Sequence, residues 1–124
     1  MATTRPLVSV VDDDESVRES LPDLLGELGF LVQAFASAEA FLASAHVDTT
    51  DCLILDIAMP NMTGPELQIK LTLLGKSIPI VFITAHGDES IRPRLVKQGA
   101  VDCLFKPFSE ASLLNAVNAA LLVS

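Results

Sequence analysis

The chain alternates between short apolar runs and longer stretches in which apolar residues recur at helical spacing. Leu7–Val11, Leu31–Phe35, Cys52–Leu55, Ile80–Ile83 and Val101–Phe105 are bounded by turn residues and read as strands of a buried parallel sheet. Between and after them the pattern predicts helices over Ser16–Leu28, Ala38–Ala43, Pro65–Leu74, a segment before Gln98, and Glu110–Val123. Gly29, Gly75 and Gly99 stand at three helix ends, and Ser37 and Ser109 are placed to cap the second and fifth helices. Strand and helix alternate five times, so right-handed crossovers predict an α/β fold, a parallel sheet covered by helices on both faces. No repeat, low-complexity tract or linker interrupts the pattern, and one domain over residues 1–124 is expected.

Two prolines disturb the helices. Pro22 falls well inside the first, where it removes a hydrogen bond and is expected to kink it. Pro93 fits poorly at the fifth position of a helix beginning after Asp88, but a start at Ser90 places it in the first turn. A long loop after Thr84 and a short fourth helix are therefore predicted.

Composition narrows the setting. A chain of 124 residues can bury a real core as one domain. Half its residues are hydrophobic, yet no apolar run approaches the ~20 residues of a membrane helix. The first residues lack the apolar centre of a signal peptide, so a cytoplasmic protein is expected. Cys52 and Cys103 lie in apolar surroundings without metal spacing and are expected to be buried free thiols. A net charge of −8 repels nucleic acid, and neither Trp nor Tyr offers a stacking platform, so direct nucleic-acid binding is not expected.

The chemistry lies where the strands end. The first strand stops at Asp12-Asp13, the third at Asp56, the fourth at Thr84 and the fifth at Lys106. Ligands of open α/β sheets bind at the carboxyl ends of the strands. An acidic pair, a lone carboxylate, a hydroxyl and an ammonium are therefore expected to converge on one edge. The run Asp12-Asp13-Asp14 fits either a solvated loop, with Asp14 capping the next helix, or a hard divalent cation held through oxygens. Asp56 can be a further metal ligand and a nucleophile toward phosphorus, and the main-chain carbonyl of Ala58 can complete the metal shell. Thr84 can donate to a phosphoryl oxygen, and Lys106 supplies a compact positive charge, its direction set by the turn at Pro107-Phe108, where a cis peptide is allowed.

The segments Val-Val-Asp-Asp-Asp-Glu, Leu-Ile-Leu-Asp-Ile-Ala-Met-Pro, Ile-Thr-Ala-His-Gly-Asp and Lys-Pro-Phe make the chain resemble, in order and spacing, the receiver (CheY-like) domain of two-component response regulators. Among receivers it is most similar to those of LuxR/FixJ-type regulators. The resemblance spans nearly the whole chain and implies a three-layer, flavodoxin-like (βα)5 fold with strand order 2-1-3-4-5. It further implies that Asp56 accepts phosphate from a histidine kinase. Asp13, Asp56 and the Ala58 carbonyl would bind Mg²⁺, with Asp12 acting directly or through water. Lys106 would bind phosphoryl oxygens, and Thr84 would move toward them. The domain would self-phosphorylate and self-dephosphorylate without being a turnover enzyme, and would regulate an output domain or partner. No output domain is expected within these residues, which read as a stand-alone receiver or as the receiver of a longer regulator.

One departure affects signalling. Receivers usually carry an aromatic residue three positions before the lysine, and here that position is Cys103. A thiol cannot swing a ring into space left by a moving hydroxyl. Phe105 shares its strand parity but lies two residues nearer the site. The change on phosphorylation is therefore expected to reach the fourth helix through its loop. His86, near the pocket rim, reads as a general base or as a loop histidine facing solvent, and His46 reads as surface. The fifth helix has no charge from Ala111 to Val123. Either Asn115 and Asn118 form its outer face, or that face meets a second copy, an output domain or another protein. A different class remains open: Asp12-Asp13-Asp14-Glu15-Ser16 loosely resembles the motif of haloacid-dehalogenase-like phosphohydrolases, with Asp12 as nucleophile and Asp14 as acid.

Overall fold

The structure, a computed structural model, describes residues 5–85 and 90–122. Five strands, β1 (Leu7–Val11), β2 (Leu31–Phe35), β3 (Cys52–Asp56), β4 (Ile80–Thr84) and β5 (Asp102–Phe105), pair in parallel in the order β2-β1-β3-β4-β5. Between them run α1 (Glu15–Glu27), α2 (Ala38–Leu42), α3 (Gly64–Leu73) and α4 (Ile91–Lys97), and α5 (Glu110–Leu122) follows β5. This is the expected CheY-like architecture.

Strand periodicity sorts the side chains into two cores. Val8, Val10, Ile54, Val81, Ile83 and Leu104 pack with Leu21 and Leu25 of α1 and with Leu113 and Val117 of α5. Alternate residues, among them Val11, Leu53, Leu55, Phe82 and Cys103, pack against Phe41 of α2, Leu67 and Leu71 of α3, and Leu95 of α4. The central strands β3 and β4 are buried along their whole length, whereas the edge strand β2 is largely exposed. The one polar side chain inside β1 is satisfied within the core. Thr50 gives its hydroxyl proton to the His46 carbonyl at 2.6 Å, so Ser9 is the donor in the 2.7 Å hydroxyl pair with Thr50.

Local chemistry sets the helix boundaries. Asp14 caps α1 by accepting from the Ser16 amide, and Ser37 caps α2 through the Ala40 amide. Ser109 accepts from the Ser112 amide at the start of α5. Thr63 and Glu66 form a reciprocal capping box at α3, with Pro65 in the first turn. Gly29, Gly75 and Gly99 adopt φ of 100°, 75° and 109°, a region that penalises side chains. Pro93 lies in the first turn of α4, as the short-helix reading requires, while residues 86–89, His86 included, fall outside the described residues. Helix α1 runs on through Pro22 to Glu27.

Several expectations need correction: α1 and α3 each begin and end one residue earlier than expected, and α2 ends one residue earlier, at Leu42. β3 and β4 each extend one residue further than read, to Asp56 and Thr84, because those residues still pair, Asp56 with Ile83 and Thr84 with Phe105. β5 starts at Asp102, one residue later than read, although the Val101 amide still donates to the Ile80 carbonyl. His46 is half-buried rather than on the surface, its ring 6.3 Å from that of Phe35. On α5, Asn115 and Asn118 do face outward, and Leu122 is 86% exposed. Leu25→Ala is expected to cost about 3 kcal/mol in urea denaturation, whereas Leu122→Ala should change stability by less than about 0.5 kcal/mol.

Candidate functional site

Parallel pairing brings four strand ends to one edge. The register sets Val11 of β1 opposite Leu55 of β3, so Asp12 and Asp56 leave the sheet side by side. On the other flank Asp56 pairs with Ile83, which places Thr84 one step further out, beside Phe105 and next to Lys106. The ladder continues past the strands: the Ile57 amide donates to the Ile83 carbonyl at 3.1 Å, and the Lys106 amide to the Thr84 carbonyl at 2.7 Å.

Within this frame Asp12 is fully buried and tied from several directions. Its amide donates to the Phe35 carbonyl, its Oδ1 accepts from the Asp14 amide at 2.9 Å, and its Oδ2 accepts from Lys106 Nζ at 2.9 Å. Asp56 and Thr84 are also buried, at 6% and 2% exposure, whereas Asp13 is exposed. One carboxylate oxygen from each of Asp12, Asp13 and Asp56 lies within 4.8 Å of the other two, an acidic cluster able to hold a metal ion. The Lys106–Pro107 peptide is cis. Ala58 lies two residues beyond Asp56 in the exposed part of the β3–α3 connection.

The electrostatics follow from this crowding. Burial first, then the charge of Asp12, push the Asp56 carboxyl up to about 7, with Lys106 pulling the other way. Burial alone would lower the Lys106 ammonium, but the hydrogen bond and charge of Asp12, together with Asp56 and Asp14, outweigh it and the net shift is upward. Asp14 takes no part in the cluster. Its carboxylate accepts from the Ser16 amide and hydroxyl, and these bonds hold it below the usual carboxylate range. The carboxylate that the hydrolase reading needs as an acid is thus committed to capping α1.

Two contributors escaped the sequence reading. Gly64, the first residue of α3, donates its amide to the Ile57 carbonyl at 2.9 Å and lies directly against the Asp56 backbone. A Cβ there would overlap the Asp56 carbonyl oxygen and stand 3.0 Å from the Phe82 ring. The signal was present as a glycine opening a helix, where Ala is ordinarily preferred. Arg18 of α1 donates from Nη1 to the Asp12 carbonyl at 3.0 Å, and its trace in the sequence is a cation in the first turn of a helix. Cys103 is buried, and burial pushes its thiol up to about 11. Cys52 is likewise buried and its thiol pushed up to about 12, so both are buried free thiols, as expected. Among the described residues no helix is long and apolar enough to cross a membrane.

Comparison with known proteins places this geometry in a family. The model of the response regulator receiver domain matches residues 8–118. Nodulation protein W of Bradyrhizobium diazoefficiens is 47% identical over 119 residues, which are 96% of this chain and 52% of that protein. Response regulator protein TodT of Pseudomonas putida is 42% identical over 121 residues, covering 98% and 53%. The chain thus spans about half the length of the curated relatives it matches. Among solved structures, response regulator StyR superposes with a TM-score of 0.88 at 48% identity over 97% of this chain and 61% of the other. FixJ-N superposes with 0.85 at 38% identity, covering 97% and 96%.

Two outcomes test the site. Between about pH 4 and pH 7 folded Asp56 retains a proton that the unfolded chain has released, so metal-free stability should fall as pH rises through that window and level off above it. At pH 8 Asp56→Asn should therefore be more stable than the unsubstituted protein by about 1 kcal/mol, allowing for partial screening by solvent. Thermal melts should show the gap close toward pH 5. Gly64→Ala should cost about 2–3 kcal/mol in chemical denaturation, through overlap with the Asp56 backbone.

Proposed function

The chain belongs to the response regulator receiver domain family of two-component signalling, phosphoacceptors rather than turnover enzymes, and from that premise we propose that Asp56 takes a phosphoryl group from a phosphohistidine of a histidine kinase. The observation that carries this reading is the burial of Asp56 at the carboxyl edge of the sheet, between the acidic pair and Lys106. In the transfer an Asp56 oxygen bonds to phosphorus as the phosphorus–nitrogen bond to the kinase imidazole breaks, and the released imidazole takes up a proton. Such reactions depend chiefly on positioning and on neutralising oxygen charge.

The donor set fits Mg²⁺, a hard cation that binds carboxylate and carbonyl oxygens and keeps several waters. Asp13, Asp56 and the Ala58 carbonyl would hold it, with Asp12 contributing directly or through water, and the ion would offset charge on the phosphoryl oxygens. Lys106 turns from Asp12 toward a phosphoryl oxygen, and the Thr84 hydroxyl donates to another. Cys103 fills its place in the core with no ring to move, so the change at Thr84 passes along the segment after β4 to α4. Arg92 of α4 is tied to Asp102 of β5 by contacts of 2.8 and 2.9 Å, which couples that helix to the strand leading to Lys106. The reading sets this relay in the cytoplasm, with transcription as the regulated process. α4 and the outer face of α5 serve as the surface met by an output domain or a second copy.

Incubation with acetyl phosphate or phosphoramidate and Mg²⁺, followed by mass spectrometry, tests the assignment. One acid-stable, base-labile phosphate should map to Asp56, and it should disappear in Asp56→Asn and in the absence of Mg²⁺. Phosphate at another residue overturns the reading, as does no modification at all. Turnover of a phosphomonoester that survives Asp56→Asn but not Asp12→Asn would favour the hydrolase instead.

A further inference from the structure

Arg18 is the fourth residue of α1, and its guanidinium reaches back over the first turn to the Asp12 carbonyl at 3.0 Å. A cation near a helix N-terminus opposes the helix dipole, so the helix itself gives no reason for an arginine here. The contact explains the placement. That carbonyl belongs to the peptide linking Asp12 to Asp13, the two carboxylates contributed by the β1–α1 connection to the acidic cluster. Asp12 is held at its amide by Phe35 and at its carboxylate by Lys106 and the Asp14 amide. Fixing its carbonyl fixes the plane of the following peptide, and with it the direction in which exposed Asp13 leaves the strand.

We propose that Arg18 is a positioning residue for metal binding, acting through the Asp12–Asp13 peptide to hold the Asp13 carboxylate within reach of Asp56. This rests on the reading of the cluster as the Mg²⁺ site of a phosphoacceptor. The role has a sign opposite to that of a mere nearby charge. A guanidinium beside a divalent-cation site repels the cation, so removing it should tighten binding if its field were all that mattered. Removing a positioning contact behind a ligand weakens binding instead, commonly by tenfold or more.

The test is an NMR titration with Mg²⁺ of the unsubstituted chain and of Arg18→Met, Arg18→Gln and Arg18→Lys, following the Asp13 and Asp56 amides. Met and Gln are neutral and too short to reach the carbonyl, whereas Lys keeps an N–H donor on a long stem. Arg18→Met and Arg18→Gln should each bind Mg²⁺ about tenfold more weakly, and Arg18→Lys should recover most of the loss. The Asp13 amide should shift in the two neutral variants before any metal is added. If Arg18→Met does not fold, as judged by its thermal melt, Arg18→Gln carries the comparison. Unchanged or tighter binding in the neutral variants, with the metal-free Asp13 amide unmoved, overturns the proposal alone. Failure of the unsubstituted chain to bind Mg²⁺ at Asp13 and Asp56 overturns the phosphoacceptor site as well.

Discussion

Two buried carboxylates on adjacent strands, Asp12 and Asp56, share the ammonium of Lys106, and much of the site's behaviour follows from that imbalance. Burial penalises a charged Asp56, and the like charge of Asp12 at close range adds to that penalty, so Asp56 holds its proton up to about pH 7. A divalent cation held by this cluster would relieve the conflict and, on the proposed reading, would free the same carboxylate to act as a nucleophile. Affinity for metal and competence for chemistry would thus have a common origin in crowding. The sheet enforces that crowding, because the pairing of Val11 with Leu55 leaves the two aspartates no room to diverge.

The same frame explains what could be read in advance. Apolar runs bounded by turn residues marked all five strands, most fully in β3 and β4, which are buried on both faces, and less so in the exposed edge strand β2, which carries Gln33. Asp12, Asp13, Asp56, Thr84 and Lys106 were legible as a group because parallel strands must deliver their carboxyl ends to one edge. Two strand ends were read one residue short, since Asp56 and Thr84 look like loop residues by composition while their backbones still belong to the ladder. The roles of Gly64 and Arg18 were hidden for another reason: each acts on a main-chain carbonyl, and side-chain patterning carries no record of where carbonyls point.

Sequence also left the outer face of α5 undecided. Leu113, Ala116, Val117 and Ala120 turn inward, and their small average size lets the helix lie close on the sheet. Asn115 and Asn118 give the outward face its polarity without any charge, and Leu122 is exposed there as a large apolar residue. An all-apolar appearance in one dimension resolved into an inward apolar side and an outward side of small and polar residues once the direction of each side chain was fixed.

The pairing of Asp56 with Ile83 has a consequence for biogenesis. Side chains alternate along a strand, so a slip of one residue would send the wrong set into each core and draw Asp56 away from Asp12 and Lys106. A misassembled molecule would therefore be silent as well as unstable. Competence to be charged with phosphate then doubles as a certificate of correct assembly, and a signalling pathway built on this domain listens only to chains whose sheets have closed in the right order.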